Sequence, residues 1–237
     1  MISIVIPAYN EEKNIARCLD AFLHQTTTRP FEIILVNNAS TDRTVAIAES
    51  YVGKLKLTII NDPVKGRGHA RSFGFARARG DIILSSDSDA VVPEDWIERL
   101  ASTLEAHPEV VAVTGTCMID DCDEKTNRRF NRTQPWMMKG YRLLFGHYWL
   151  SGFSFGIRKE AYAASGGFDP DLNAQEDIDL SAKVARIGTI LFIPDVPVLF
   201  SGRRFTGGLL KGLVPYVRSF MHWYREKKGH SHLEDVR

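Results

Sequence analysis

Two aspartates, Asp87 and Asp89, stand two residues apart directly after the apolar segment 82–85. An extended segment of this kind brings both carboxylates to one edge of a sheet, where their oxygens suit Mg²⁺ or Mn²⁺. Such cations usually bridge to the phosphates of a substrate. The alternative is an acidic turn that only leads into a helix starting at Pro93. The position directly after a predicted strand favours a metal site that holds a phosphate-containing ligand.

Polar segments also follow two other predicted strands. Residues 2–6 lead into Pro-Ala-Tyr-Asn-Glu at 7–11, and residues 32–36 lead into Asn-Asn-Ala-Ser-Thr-Asp at 37–42. Because ligands of open parallel sheets bind beyond the carboxyl ends of the strands, we expect these segments to face one crevice with the aspartates. The sequence contains neither a GxxxxGK[ST] loop nor a GxGxxG motif after the first strand. These segments therefore indicate a nucleoside diphosphate held through a metal ion.

Strand-like and helix-like patterns alternate along the first half of the chain. The predicted strands cover residues 2–6, 32–36, 57–60, 82–85 and 110–114. Between them we predict a helix capped by Asn10, a second opening at Ser40 or Thr41, a third over residues 69–78, and a fourth from Pro93 to about Ala106. This alternation is typical of an α/β fold with a Rossmann-like, mainly parallel sheet flanked by helices.

The second half of the chain is less regular. Residues 115–150 show no clear period and are predicted to be irregular. Two further helices are predicted over residues 159–165 and 176–187, and a strand over 189–193. No internal repeat or low-complexity linker interrupts the chain, so we predict a single domain over residues 1–237.

Composition excludes several classes of protein. The 237 residues carry 30 basic and 29 acidic side chains, a net charge of +1, which gives no bulk attraction to nucleic acid. Three cysteines argue against a disulfide framework, and no segment approaches the 18 apolar residues of a membrane span. We therefore expect a cytoplasmic protein. Residues 203–237 depart from the charge balance, with eight basic and three acidic residues.

Several segments together resemble the successive motifs of the family 2 glycosyltransferases. They are residues 4–11, residues 36–42, Ala70-Arg71 with Gly80-Asp81, Asp87-Ser88-Asp89, and residues 166–169 with 175–180. The resemblance runs in order over residues 1 to about 200. It implies a GT-A fold and transfer of a sugar from a nucleotide sugar with inversion at the anomeric carbon. The expected cofactor is a divalent cation, Mn²⁺ or Mg²⁺.

The resemblance also implies a donor site. Tyr9 would stack on the base, Asn38 would contact the base edge at a position that is commonly aspartate, and Arg71 would support the nucleoside end. Because the Asn38 carbonyl can accept from uracil N3–H, a UDP-sugar is the favoured donor and a GDP-sugar stays open. Asp87 would contact ribose or the metal, and Asp89 would ligate the metal. The predicted donor-site residues are Pro7, Tyr9, Glu11, Asn38, Arg71, Asp87, Ser88, Asp89, Arg203 and Arg204.

Arg203 and Arg204 follow the last predicted strand. Their guanidinium groups are suited to bidentate contacts with a diphosphate, and the alternative is surface charge.

Asp177 is the predicted catalytic base. Sugar transfer requires a group that takes the proton from the acceptor hydroxyl, and a carboxylate at a helix start can do this once water is excluded. Glu176 is predicted to orient the acceptor or support the base. The alternative for both residues is compensation of the helix dipole in a first turn.

The basic tail allows three interpretations. Its apolar residues fall at near-helical spacing, so we predict an amphipathic helix within residues 209–237. This helix would pack on the domain core, lie on a membrane surface through residues 209–228 with Trp223 and Tyr224 at headgroup level, or form a lid with residues 136–149.

The sequence thus predicts an enzyme, a metal-dependent inverting glycosyltransferase of the hexosyltransferase type. Residues 1–115 would bind the nucleotide sugar, residues 116–208 would form the smaller acceptor and catalytic half, and residues 209–237 the tail. The expected partners are a nucleotide-sugar donor and a saccharide or lipid-linked acceptor, without nucleic acid. The expected location is the cytoplasm, with contact at the inner face of the membrane left open. The rival functions are a catalytically inactive sugar-nucleotide-binding protein and a sugar nucleotidyltransferase.

Overall fold

The computed structural model describes residues 1–226 of the chain. The strands are β1 (Ile2–Ala8), β2 (Phe31–Asn37), β3 (Leu57–Asn61), β4 (Ile82–Ser86), β5 (Ala90–Val91), β6 (Val110–Met118), β7 (Ser154–Arg158) and β8 (Thr189–Phe200). The helices are α1 (Ile15–Leu23), α2 (Thr44–Glu49), α3 (Arg67–Phe75), α4 (Trp96–Ala106), α5 (Glu124–Phe145), α6 (Lys159–Ala164), α7 (Glu176–Val184) and α8 (Leu209–Glu226), with a 3-10 turn at Arg203–Phe205. Residues 227–237 of the predicted tail lie outside the described residues.

The strands form one sheet in the order β3-β2-β1-β4-β7-β6-β8-β5. Strands β1 to β4 pair in parallel, as do β6 and β8, whereas β7 lies antiparallel between β4 and β6. The predicted α/β class with a mainly parallel, helix-flanked sheet is therefore confirmed. Strands β5 and β7 were not predicted, because two residues and a five-residue segment without strict alternation give little signal.

Alternation along β1 shows how the sheet divides the core. Ile4 and Ile6 face a cluster that includes α1, α2 and α4, while Val5 faces a second cluster with α3, α6 and α7. Helix α3 lies very close to the sheet, since a Cβ on Gly74 would come within 2.5 Å of a Val5 methyl group. This close packing fixes α3, which carries Arg71, against the carboxyl half of β1.

Register places the ends of neighbouring strands side by side. Ala8 at the end of β1 pairs with Asn37 at the end of β2, and Asn37 pairs with Asn61 at the end of β3. On the other side of β1, Val5 pairs with Ser85. The polar segments that follow these strands therefore emerge at one edge of the sheet, as the strand order requires.

The prediction that residues 115–150 are irregular was wrong. Strand β6 continues to Met118, and helix α5 covers 22 residues. The helix begins at a normal cap, where the Asp123 carboxylate accepts a hydrogen bond from the Thr126 amide at 3.0 Å. Pro135 inside the helix and few core-facing side chains hide its period, because a proline normally signals a helix boundary.

Two predicted helix caps have a different role. Helix α1 begins at Ile15, and Asn10 instead takes a left-handed backbone conformation with φ of 52°. The Asn10 side-chain oxygen accepts from the Thr41 amide at 2.8 Å, and the Ser40 hydroxyl accepts from the Asn10 amide at 3.1 Å. These contacts tie the loop after β1 to the loop after β2, so α2 begins only at Thr44.

Smaller differences concern element ends. Helix α3 covers Arg67–Phe75 where residues 69–78 were predicted, α4 begins at Trp96, and β8 runs on to Phe200. Helices α6 and α7 end at Ala164 and Val184, close to the predicted bounds.

Helix α8 packs one face on the domain. Leu209, Leu213 and Tyr216 lie against a small core cluster formed by the end of β6, α5 and the 3-10 turn. The prediction of core packing therefore holds for this face of the helix. None of the helices within residues 1–226 combines the length and the apolar content needed to cross a bilayer.

Candidate active site

A cavity of about 460 Å³ opens at the carboxyl edge of the sheet. This volume is in the range of small-molecule sites. All of the predicted site residues line it: Pro7, Tyr9, Glu11, Asn38, Arg71, Asp87, Ser88, Asp89, Glu176, Asp177, Arg203 and Arg204. The structure thus brings together residues that are spread over most of the chain. Their individual roles remain predictions.

Three carboxylates and one arginine form the first cluster of the cavity. Arg203 donates to Glu11 Oε1 at 2.8 Å and to Asp89 Oδ2 at 2.7 Å. Burial, and after it the charge of Asp87, raise the pKa of Asp89 to about 7 against the opposing effect of Arg203. Glu11 adds to the same repulsion. This cluster therefore concentrates negative charge that a cation would neutralise.

The donor set of this cluster fits a hard divalent cation. Asp87 and Asp89 offer carboxylate oxygens, and Mg²⁺ is commonly held by one or two carboxylates with substrate phosphates and water filling the remaining positions. Within residues 1–226, no group of three ligating side chains is arranged as a closed metal site. Two carboxylates leave most positions around such a cation open, so this donor set suits a cation that also binds a phosphate of the ligand.

Arg71 connects the two acidic parts of the cavity. Its Nη2 donates to Asp87 at 2.6 Å and its Nη1 to the Ser85 hydroxyl at 2.7 Å. Its Nε lies 3.4 Å from Glu176 Oε1. The Arg71 side chain is 5% exposed and Glu176 is 7% exposed, whereas Asp87 is 26% exposed. The charge of Arg71 therefore balances one buried and one partly exposed carboxylate. Sequence reasoning assigned Arg71 to the nucleoside end, and the structure adds this positioning contact.

Asp177 lies in the first turn of α7, beside Arg71 and Glu176. Its Oδ1 accepts from the Ile178 amide at 2.8 Å and its Oδ2 from the Gly152 amide at 3.4 Å. Burial, and after it the charge of Glu176, raise the pKa of Asp177 to about 7 against the opposing effect of Arg71. A carboxylate that titrates near neutral pH is suited to accept a proton.

The backbone before Asp177 is strained. Gln175 takes a left-handed conformation with φ of 64°, and its side-chain amide donates to the Ser219 hydroxyl of α8 at 3.2 Å. The other non-glycine residues with positive φ among residues 1–226 are Asn10 and Ala39, whose neighbours in the chain, Tyr9, Glu11 and Asn38, line the cavity. Such strain persists where surrounding contacts fix the backbone, and it is common at functional sites. The sequence analysis included Gln175 in the motif at residues 175–180 and gave it no role of its own.

The predicted base-contacting residues already have protein partners. Asn38 donates to Asp62 at 3.0 Å and to the Val64 carbonyl, and its side-chain oxygen accepts from the Gly66 amide. The Tyr9 ring has the Lys65 ammonium 3.9 Å from its centroid. Asp62 was missed, although it follows β3 directly and the strand-end rule would have found it.

Aromatic side chains also line the cavity and are called the aromatic wall here. Tyr141 of α5 packs edge-to-face on Trp149, with ring centroids 5.0 Å apart. Burial and the charge of Asp177 raise the pKa of Tyr141. The wall also includes Phe130 and Phe220. The sequence analysis named residues 136–149 only as part of a lid with the tail, because the helix that carries most of these aromatic side chains was not predicted.

The sheet and the acidic cavity at its edge define a GT-A fold. The chain belongs to glycosyl transferase family 2, whose sequence profile matches residues 3–165, more than half of its length. The resemblance stated from the motifs is therefore confirmed. The chain is 30% identical over 205 residues to the probable glycosyltransferase YdaM of Bacillus subtilis strain 168, which covers 81% of this chain and 49% of YdaM.

Two solved structures share the fold. The TarS fragment 1–349 of Staphylococcus aureus, in complex with UDP-GlcNAc, matches with a TM-score of 0.68 and 21% identity, over 84% of this chain and 58% of that one. The mannosyltransferase PcManGT from Pyrobaculum calidifontis, in complex with GDP-Man and Mn²⁺, matches with a TM-score of 0.66 and 23% identity, over 92% of this chain and 64% of that one. The chain spans about half the length of the curated relatives it matches.

Proposed function

We propose that the protein is a metal-dependent inverting glycosyltransferase that moves a sugar from a nucleotide-diphosphate sugar to an acceptor hydroxyl. The observation that carries the proposal is the single cavity that joins an acidic pair after β4 to a carboxylate of near-neutral pKa in α7. A UDP-sugar is the favoured donor and a GDP-sugar stays open, as the ligands of TarS and PcManGT illustrate. The product would belong to a glycan, a polysaccharide or a glycolipid.

Several residues of the chain each contribute to a single displacement reaction at the anomeric carbon of the donor sugar. Asp177 takes the proton of the acceptor hydroxyl as that oxygen attacks the anomeric carbon. Arg203 and Arg204 bind the diphosphate, whose negative charge grows as the bond to the sugar breaks. A divalent cation, when bound by Asp87 and Asp89, supplies further charge stabilisation to the diphosphate. The aromatic wall excludes water from the reacting atoms.

Donor hydrolysis separates this proposal from its rivals. The enzyme is expected to release nucleoside diphosphate slowly from its own donor in the presence of Mn²⁺ without an acceptor. An inactive sugar-nucleotide-binding protein would bind the donor and release nothing. A nucleotidyltransferase would consume nucleoside triphosphate and sugar phosphate, which the glycosyltransferase would leave unchanged.

The Asp89→Asn variant is expected to lose metal-dependent affinity for the nucleotide by roughly tenfold or more, about 1.4 kcal/mol. The neutral amide is a poorer cation ligand, while the fold keeps its stability because the ionised Asp89 is disfavoured by burial and by Asp87. Calorimetric titration with nucleotide, with and without Mn²⁺, measures the difference. The matched control is Asp171→Asn, which changes an exposed aspartate in the loop before α7. Equal metal dependence in Asp89→Asn and wild type would contradict the metal assignment.

Activity is expected to rise with pH up to about 7 and then level off. The pKa of Asp177 is raised from 3.8 to about 7, so below pH 7 the carboxyl is protonated and cannot accept the acceptor proton. The pH profile of kcat/KM for the hydrolysis or transfer reaction measures this limb. A profile that is flat from pH 5 to 8 would contradict the assignment of Asp177.

The raised pKa of Asp177 also makes the stability of the folded protein depend on pH. Between pH 3.8 and about 7 the folded state holds a proton on Asp177 that the unfolded chain has lost. The free energy of unfolding of the metal-free protein therefore falls as pH rises through this range, because the folded state binds more protons. Asp89, with its pKa also near 7, contributes in the same direction.

The proposed glycosyl transfer requires two substrates, a donor and an acceptor. The donor is a nucleotide sugar and the acceptor is a saccharide or a lipid-linked hydroxyl compound. The proposed location is the cytoplasm, with contact at the inner face of a membrane.

A further inference from the structure

One face of α8 leaves a row of apolar side chains in solvent. Its members are spaced alternately four and three residues apart, so they lie on one side of the helix: Leu210, Val214, Val217, Met221 and Tyr224. Leu210 is 81% exposed and Val214 is 59% exposed. The neighbouring face of α8 already packs on the domain through Leu213 and Tyr216. The exposed row is therefore a second apolar face, which no other element within residues 1–226 covers.

The end of α5 extends this row into a surface. Leu143 is 87% exposed and Leu144 is 79% exposed. The next residue, Phe145, contacts Tyr224 and Phe220 of α8 with ring centroids 6.3 and 5.8 Å apart. We call the exposed apolar side chains of both helices the α5–α8 surface: Trp136, Met137, Leu143, Leu144, Phe145, Leu210, Val214, Val217, Met221 and Tyr224. Exposed apolar patches that span two elements usually mark interaction sites.

Positive charge borders this surface. Exposed Lys211, Arg218 and Arg225 follow each other at seven-residue spacing along α8, beside the apolar row, and Lys139 and Arg142 stand on α5. The sequence has no aspartate or glutamate from residue 125 to 159, nor from 196 to 225. The two helices therefore present cations and apolar groups with almost no acidic side chains. This combination is typical of helices that lie on anionic lipid.

The surface reaches the mouth of the cavity. Met137 of α5 and Val217 of α8 are exposed and also line the cavity. A molecule held at the α5–α8 surface thus meets an apolar path to the aromatic wall near Asp177.

We propose that the α5–α8 surface docks on an anionic phospholipid membrane and presents the cavity to an acceptor whose lipid part stays in the bilayer. The statement about the acceptor rests on the proposed function, whereas the docking does not. The alternative occupant is a second copy of the chain. It is disfavoured because a two-fold contact would bring the cationic rows of two α8 helices together with no acidic partners on that face.

The test uses the full chain and sedimentation with phosphatidylcholine vesicles, with or without phosphatidylglycerol. We expect binding to vesicles that contain phosphatidylglycerol and much weaker binding to phosphatidylcholine alone. Added salt should weaken the binding, because part of the attraction is electrostatic. Absence of binding to either vesicle would overturn the proposal.

Two sets of variants locate the contact. A triple variant, Leu143→Ser with Leu144→Ser and Val214→Ser, should lower vesicle affinity by about tenfold or more, because it removes apolar contact with lipid. None of the three residues lines the cavity. Lys211→Gln and Arg218→Gln combined should lower affinity for anionic vesicles by roughly fivefold per residue. The matched control is Val52→Ser, at a valine that is 56% exposed and belongs to neither helix. Equal loss in the control, or no loss in the variants, would overturn the assignment.

Two further readouts separate the possible failures. Light scattering that shows a dimer in the wild type and a monomer in the triple serine variant would identify a second copy as the occupant and overturn membrane docking. Donor hydrolysis in solution should be unchanged in the triple variant. If the wild type bound vesicles but did not hydrolyse any donor, the proposed function would be contradicted and the proposal of membrane docking would still hold.

Discussion

The Asp177→Asn variant is expected to bind nucleotide as the wild type does and to lose kcat by about 10²- to 10⁴-fold, the usual contribution of a general base. The amide keeps the shape of the side chain and cannot take the proton of the acceptor. Folding should not suffer, because Asp177 in its ionised form is disfavoured by burial and by Glu176. Release of nucleoside diphosphate measures kcat, and calorimetric titration measures nucleotide affinity.

Asp171→Asn serves as the matched control for this variant. It makes the same chemical change at an exposed site six residues earlier in the chain, and its kcat should equal that of the wild type. If Asp177→Asn turned over as fast as this control, another group would have to be the base.

The Arg71→Met variant should have the largest effect on stability, a loss of about 3–5 kcal/mol in the free energy of unfolding. The guanidinium bonds Asp87 and Ser85 and lies beside Glu176 in a buried setting. Methionine fills a similar volume but leaves these carboxylates without their neutralising partner. Urea denaturation at neutral pH measures the change, provided that the unfolding transition is two-state.

Two comparisons make this stability prediction specific. Arg79→Met alters an exposed arginine just after α3 and should change stability by less than about 0.5 kcal/mol. Arg71→Met should also lose less stability at pH 5 than at pH 7, because Asp177, whose pKa Arg71 lowers, is protonated at pH 5 and then needs no positive charge beside it. Equal stability of Arg71→Met and Arg79→Met would show that the Arg71 contacts do not hold the site together.

The sequence was most informative where strand ends define the site. Alternation in β1 and the apolar runs of β2 and β4 identify buried strands, and a parallel sheet brings their carboxyl ends to one edge. For that reason the segments beginning at Pro7, Asn37 and Asp87 could be placed around one cavity. The family motifs extended the prediction to Asp177 in the second half.

Contacts between distant segments could not be predicted in the same way. Arg203 bonds Glu11, 192 residues earlier in the chain, and no local pattern encodes that pairing. Helix α5 was missed because Pro135 interrupts its pattern, although Asp123 followed by Thr126 is a normal cap signal. Asn10 resembled a cap, but its side chain bonds the loop after β2 instead. Tertiary contacts decided each of these cases.

Thermal denaturation with UDP, GDP, CDP and dTDP, each with and without Mn²⁺, tests the central claim most directly. A ligand that binds only the folded state stabilises it by about 2.7 kcal/mol at a hundredfold excess over Kd, which raises Tm by roughly 5 °C or more in a chain of this size. We predict such a rise with one nucleotide, dependent on Mn²⁺ and reduced in Asp89→Asn. No rise with any of the four nucleotides would contradict a nucleotide-sugar site in this cavity.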